Sequence, residues 1–392
     1  MNETSEVPSS VVSDDTYPTI NPERQEKAKE YAGIRRKLML LGLVIDGLYA
    51  LLWLLFGWAA SLKELLLTYT NNEWVLVAAF VAVFGSIDGI IGMPLSYYSG
   101  YILPHRYEMS NQSFRGWILD QIKGLLVAAP IGLLVLELIY LFLRAYPDSW
   151  WLWTAGFLLV FNVLLTNLAP ILLFPIFYKF EPLEEEHREL VERLLGLAEN
   201  ASTNVRGVYK FDISRRTKAA NAALAGIGNS RRIILGDTLL EEFTVDEIET
   251  VLAHELGHQV NNDIPLGILI SSIVTLIGLW MASLILDWGV AYFGFQSTAD
   301  VAALPLFGLA LGFYGLVTTP LGNAWARWRE RKADQYALEA TGKAKAFASA
   351  FARLANQNLA DADPEPWVEF LLYSHPALRK RIAMAENYLQ QE

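Results

Sequence analysis

The chain has 392 residues, a formal net charge of -11 and no cysteine. The acidic balance leaves no polybasic surface of the kind nucleic acid requires, and without cysteine there are neither disulfides nor thiolate metal ligands. With 53% hydrophobic residues, 12 Trp and 17 Tyr, the composition points to a membrane protein, because amphipathic rings collect at the two membrane interfaces.

Residues 1–35 read as a polar N-terminal arm whose Ser, Asp and Pro content predicts partial disorder. The arm lacks the basic-then-apolar order of a signal peptide. Apolar stretches long enough to cross roughly 30 Å of hydrocarbon follow at 38–61, 75–103, 124–143 and 150–178, which defines a four-span membrane domain over 36–178. Asp46, Asp88 and Glu137 interrupt these stretches. Charges there are costly and need water or partners, so they either line a wet cavity or pair across helices.

A polar block at 179–263 breaks the pattern, after which spans at 264–288 and 303–324 make six. The expected fold is therefore mainly α, a polytopic membrane protein with about six transmembrane helices. Basic loops stay cytosolic. With a cytosolic N-terminus only Lys63 and Arg144 of the 31 Lys and Arg fall on the far side, so both termini and the polar block are expected in the cytosol.

Within the polar block, residues 244–262 read as a helix, Thr244 and Glu247 forming a capping box. It contains His254, Glu255 and His258. Histidines four apart share one helix face, so both imidazoles can hold one ion while Glu255 reaches a water bound to it. That spacing suits a zinc-activated water with Glu255 as general base. A catalytic zinc wants a third protein ligand, and the next polar segment on the same side is 325–341. There Glu330 is the candidate ligand, and Asp334, one turn on, is placed to hold the far nitrogen of a ligand His. The same two acids, amid Arg327, Arg329, Arg331 and Lys332, also fit an ordinary charged helix laced by ion pairs.

These segments resemble peptidase family M48, and within it the Ste24-like CAAX prenyl proteases. HELGH at 254–258 is similar to the family's zinc helix, and Arg327, Glu330, Ala333 and Asp334 to its R-x-x-E-x-x-A-D segment. Ser374, His375 and Pro376, followed by Arg381, resemble its S-H-P element, here 374–382. The resemblance implies a gluzincin-type peptidase domain over 179–392 with a small β-sheet, one zinc ion per chain on His254, His258 and Glu330, and His375 facing substrate and oxyanion with support from Arg381. It further implies that Asn221 and Ala222 open an edge strand that presents backbone to an extended peptide, and that the helix ring encloses a water-filled chamber. Eukaryotic members carry seven spans where this sequence shows six.

The expected activity is zinc metalloendopeptidase, CAAX prenyl protease-like, acting on a peptide or protein substrate that is prenylated or membrane-associated, in the plasma membrane of a prokaryote or the ER membrane of a eukaryote. A quality-control protease for membrane proteins is the alternative within the family. A cation transporter fits worse, because its ligands belong near the bilayer midplane, whereas HELGH precedes its span and Glu330 follows the next. A silent zinc scaffold fits worse too, since a structural site has no use for Glu255.

Overall fold

The computed structural model describes residues 19–183, 187–226 and 231–391, so the disorder expected before residue 19 lies outside the described residues. Helix α1 (Pro22–Leu55) starts inside the predicted arm. Asn21 caps it by accepting the Arg24 N–H at 3.1 Å, and Pro22 sits in the first turn, where a missing N–H costs nothing. At Gly57 the backbone turns left-handed (φ +67°) into a separate short helix, α2 (Trp58–Leu67). Hydropathy had merged the two, because both are apolar.

The bundle continues with α3 (Glu73–Tyr97), one π turn and α4 (Leu103–Arg106), then α5 (Phe114–Ala145). A second π turn separates α6 (Trp150–Leu168) from α7 (Phe174–Phe177). Pro104 and Pro170 stand at these two irregular turns, where they cannot donate to the carbonyl four residues back.

The polar block folds as β1 (Phe180–Pro182), α8 (Arg188–Asn200), β2 (Val208–Phe211), β3 (Ala222–Ala225), β4 (Arg232–Gly236), α9 (Asp237–Glu242) and α10 (Val245–Val260). Beyond it lie α11 (Asp263–Phe293), α12 (Leu304–Thr341), α13 (Ala344–Gln357), α14 (Pro366–Leu372) and α15 (Leu378–Leu389). Among the described residues, six helical stretches are long and apolar enough to cross a membrane. The boundary expected between the sixth span and the Glu330 segment does not exist, for α12 is one 38-residue helix. At 1.5 Å per residue it is about 57 Å long, so one continuous helix, with Pro320 in its interior, carries Glu330 out of the apolar zone.

Two cores divide the work. Tyr49, Trp53, Phe80, Trp150 and Phe307 fill one end of the helix bundle. Towards this end both cations that the charge count had set apart are paired, Lys63 with Asp300 at 2.8 Å and Arg144 with Glu73 at 3.0 Å. At the other end the sheet, in order β1-β2-β4-β3, packs Ile233 and Leu235 of β4 against Ile248, Leu252 and Leu256 of α10. Strand alternation sends Ile234 to the opposite face with Phe211 and Ile213. β3 pairs antiparallel with β4 on one side and is an outer strand of the sheet. Of the three acids in the spans, Glu137 is buried, Asp88 half-buried and Asp46 exposed.

Candidate metal centre and active site

Thr244 caps α10 as the spacing predicts, its hydroxyl accepting the Glu247 N–H while the Glu247 carboxylate accepts the Thr244 N–H at 2.8 Å. Glu247 is buried and also takes Ser349 and Arg353, which anchors this end of the helix to α13. At the far end, Gly257 sets the approach of α12. A Cβ on Gly257 would lie 2.8 Å from Ala333 Cα and 3.0 Å from its carbonyl oxygen, so only glycine lets the two helices pack this closely. That contact delivers Glu330 to the histidines.

Donor atoms of His254, His258 and Glu330 all lie within 4.8 Å of one another. His254 Nε2 is 3.3 Å from one Glu330 oxygen and His258 Nε2 3.4 Å from the other. Glu330 Oε2 is buried and accepts no hydrogen bond among the described residues. Two imidazoles and a carboxylate with an orphaned oxygen form a donor set suited to a divalent zinc-like ion. The residues fit the metal that their spacing implied.

Each histidine is held from behind. His254 Nδ1 lies 2.9 Å from Asp334 Oδ1, and Arg381 in turn binds Asp334, its Nε donating to Oδ2 at 2.9 Å. Burial and the Arg381 charge lower the His254 pKa, but the Asp334 and Glu330 carboxylates outweigh them and raise it to about 9. The two carboxylates thus favour positive charge at this imidazole. His258 Nδ1 contacts Asp263 Oδ2 at 2.7 Å, and Arg329 binds Asp263 and the Asn261 carbonyl. Sequence reading missed Asp263 and Arg329. The available signal was an acid opening α11 five residues after His258, brought back by left-handed Asn262 (φ +55°).

Glu255 is half-buried and makes no hydrogen bond or ion pair among the described residues. It lines a 420 Å³ cavity together with His254, His375, Asn221 and Ala222. Asn221 directly precedes β3, so the cavity abuts the start of the sheet's edge. His375 is largely exposed, with Nε2 3.4 Å from Glu330 Oε1 and Nδ1 2.9 Å from Ser374 Oγ. The segment before it is tied down by Arg327, which donates to the carbonyls of Glu369 at 2.8 Å and Tyr373 at 2.6 Å. Glu369 fixes the other side by accepting the Ala377 N–H at 3.0 Å and pairing with Lys380. Arg381 also lines the cavity, but it is buried and its guanidinium is engaged by Asp334 and the ligand pocket, with Nη1 3.7 Å from Glu330.

Comparison with known proteins agrees with this geometry. A family model described as peptidase family M48 matches residues 184–389, and one described as CAAX prenyl protease N-terminal, five membrane helices, matches residues 2–179. In the latter region the described residues hold four candidate spans. The chain is 29% identical to the uncharacterized metalloprotease YhfN of Bacillus subtilis, with 94% of this chain and 87% of that protein aligned. It is 28% identical to CAAX prenyl protease 1 of Saccharomyces cerevisiae, over 95% and 88% respectively. The crystal structure of S. mikatae Ste24p shares the fold, with a TM-score of 0.84 at 24% identity over 95% of this chain and 93% of that one.

Proposed function

The chain belongs to peptidase family M48 and is a membrane metalloprotease, and on that premise we propose that His254, His258 and Glu330 hold one zinc ion and Glu255 is the general base. The single observation behind this reading is the unpartnered Glu255 carboxylate lining one cavity with His254, whose donor atoms converge with those of His258 and Glu330. When bound, zinc supplies a Lewis acid that acidifies water and polarises a peptide carbonyl. The protein's own groups do the rest. Glu255 takes the proton of the attacking water and hands it to the leaving amine. His375 donates towards the carbonyl oxygen as negative charge builds there. Asp334 fixes the tautomer and orientation of His254, and Arg381 holds Asp334. Asn221 and Ala222 lead into the free edge of β3, where an extended peptide adds as a further strand.

Residues 36–178 are the membrane domain and 179–392 the peptidase domain in this reading, with the site and both ends cytosolic. The charge distribution supports that topology, since the few cations of the opposite end are neutralised by Asp300 and Glu73. The substrate is a peptide whose C-terminal region carries a prenylated cysteine, as the names of the relatives suggest. The test compares a peptide with farnesylated cysteine four residues from its C-terminus against its unmodified twin, using detergent-purified full-length protein. A kcat/KM advantage of tenfold or more for the farnesylated peptide, on the order of 1.4 kcal/mol, is the expected result. Equal cleavage of both would overturn the prenyl assignment and favour quality control of membrane proteins.

A further inference from the structure

The loop between α13 and α14 holds the approach to β3. Ala220 N–H donates to Asn358 Oδ1 at 2.8 Å, and Asn358 Nδ2 donates back to the Ala220 carbonyl at 3.2 Å. One side-chain amide thus satisfies both peptide groups of a buried residue, as a neighbouring strand would. Adjacent positions are pinned as well. Gln357 Nε2 donates to Lys218 O at 3.0 Å, Thr238 Oγ1 to Ala219 O at 2.9 Å, and Gly236 N to Asn221 O at 2.9 Å. Gly236 ends β4 and Thr238 lies in α9, the helix that follows it. Gln357 and Asn358 come from outside the sheet, and Asn358 lines the same cavity as Glu255 and His375.

The last turn of α13 and the loop after it also grip α1 and its cap. Asn356 accepts the Asn21 N–H at 2.9 Å and donates to Thr19 O at 3.0 Å, while Arg24 Nε donates to Asn356 O at 2.7 Å. Gln25 binds Ala360 O at 3.1 Å and the Ala362 N–H at 3.0 Å. Between these contacts Leu359 is left-handed (φ +48°), an unfavourable conformation for leucine, kept in place by burial against Ala28 and Met109. The strained turn allows one short loop to serve α1 and the strand at once.

We propose that Asn358 is a positioning residue for proteolysis, fixing the inclination and register of the β3 edge towards the cavity, with α1 as the anchor of the loop that carries it. This rests on the reading of β3 as the strand that pairs with substrate. Peptide binding by strand addition depends on backbone hydrogen bonds at fixed spacing, so a loosened Ala220 weakens binding while the metal ligands and Glu255, held by α10 and α12, keep their places.

The experiment uses full-length holoenzyme, a fluorogenic peptide, and twins of that peptide each N-methylated at one backbone amide near the scissile bond. In wild type at least one twin shows a KM raised about tenfold, the effect of losing a productive hydrogen bond or two. Asn358→Ala raises KM for the parent peptide by about tenfold with kcat within about twofold and zinc content unchanged, and its penalty for N-methylation shrinks below about twofold. Asn358→Asp, which keeps the acceptor for Ala220 N–H and loses the donor, falls between; it carries the test should the alanine variant not fold. Hydrogen exchange at 220–225 accelerates in both variants, while that of α10 does not. No penalty in wild type for any twin would sink the strand-pairing reading itself. A penalty in wild type that Asn358→Ala and Asn358→Asp both retain at unchanged KM would overturn the role of Asn358 alone, and so would a loss confined to kcat.

Discussion

The two metal-facing histidines are held by brackets of the same kind built to different depths. His254 leans on Asp334, which is fully buried and gripped by Arg381 from α15, while His258 leans on Asp263, which retains some exposure and is gripped by Arg329 from α12. In each, an arginine holds a carboxylate and the carboxylate holds an imidazole. The deeper bracket joins three helices distant in sequence, α10, α12 and α15. The shallower one uses the turn between α10 and α11 plus the passing side of α12. Burial decides what a break costs, because an uncompensated charge left in the interior is far more expensive than one that water can reach.

Asp334→Asn is expected to have the largest effect. It leaves Arg381 buried without its carboxylate, so zinc affinity measured against a competing chelator falls by about 100-fold and thermal stability by about 3 kcal/mol. Asp263→Asn is expected to cost about tenfold in zinc affinity with little change in melting temperature. Equal losses in the two variants would show that depth does not distinguish the brackets. Gly257→Ala tests the frame that both share. The added methyl meets Ala333 backbone and should destabilise by about 1–3 kcal/mol, lowering zinc occupancy, whereas the neighbouring Leu256→Met, a volume-conserving swap, should cost less than about 1.5 kcal/mol.

A smaller effect concerns acid. Burial raises the Glu369 pKa, but Lys380 and the Ala377 N–H outweigh it and hold the carboxylate below its usual range. A depressed folded pKa contributes stability that is present above the unfolded value near 4.3 and is lost as pH falls through the folded value. Acid should therefore loosen the His375 segment below about pH 4, and Glu369→Gln should flatten the dependence seen by hydrogen exchange at 373–378.

What the sequence made legible is local or periodic. HELGH and its capping box are set by spacings of three and four residues along one helix, and the spans by hydropathy alone. Glu330 was accessible because its segment is the next polar one after the intervening spans. By contrast, α12 looked like a span followed by a separate helix, since composition changes at residue 325 while the backbone hydrogen bonding continues. Asp263 was missed because left-handed Asn262, not helical spacing, brings it to His258. The role given to Asn358 was beyond reach, for its partner Ala220 is 138 residues away and only tertiary packing joins them. Arg381 read as a support for His375 at the substrate; it lines the cavity, and its guanidinium is turned to Asp334 and the metal pocket.

Zinc content and chelator-sensitive cleavage of a fluorogenic peptide by wild type and Glu255→Gln, purified side by side, test the central claim most directly. The account predicts about one zinc per chain in both proteins and activity in the wild type alone, reduced in Glu255→Gln by a factor on the order of 10³ or more. Zinc-free wild type, or a Glu255→Gln variant that cleaves at near wild-type rate, would contradict it.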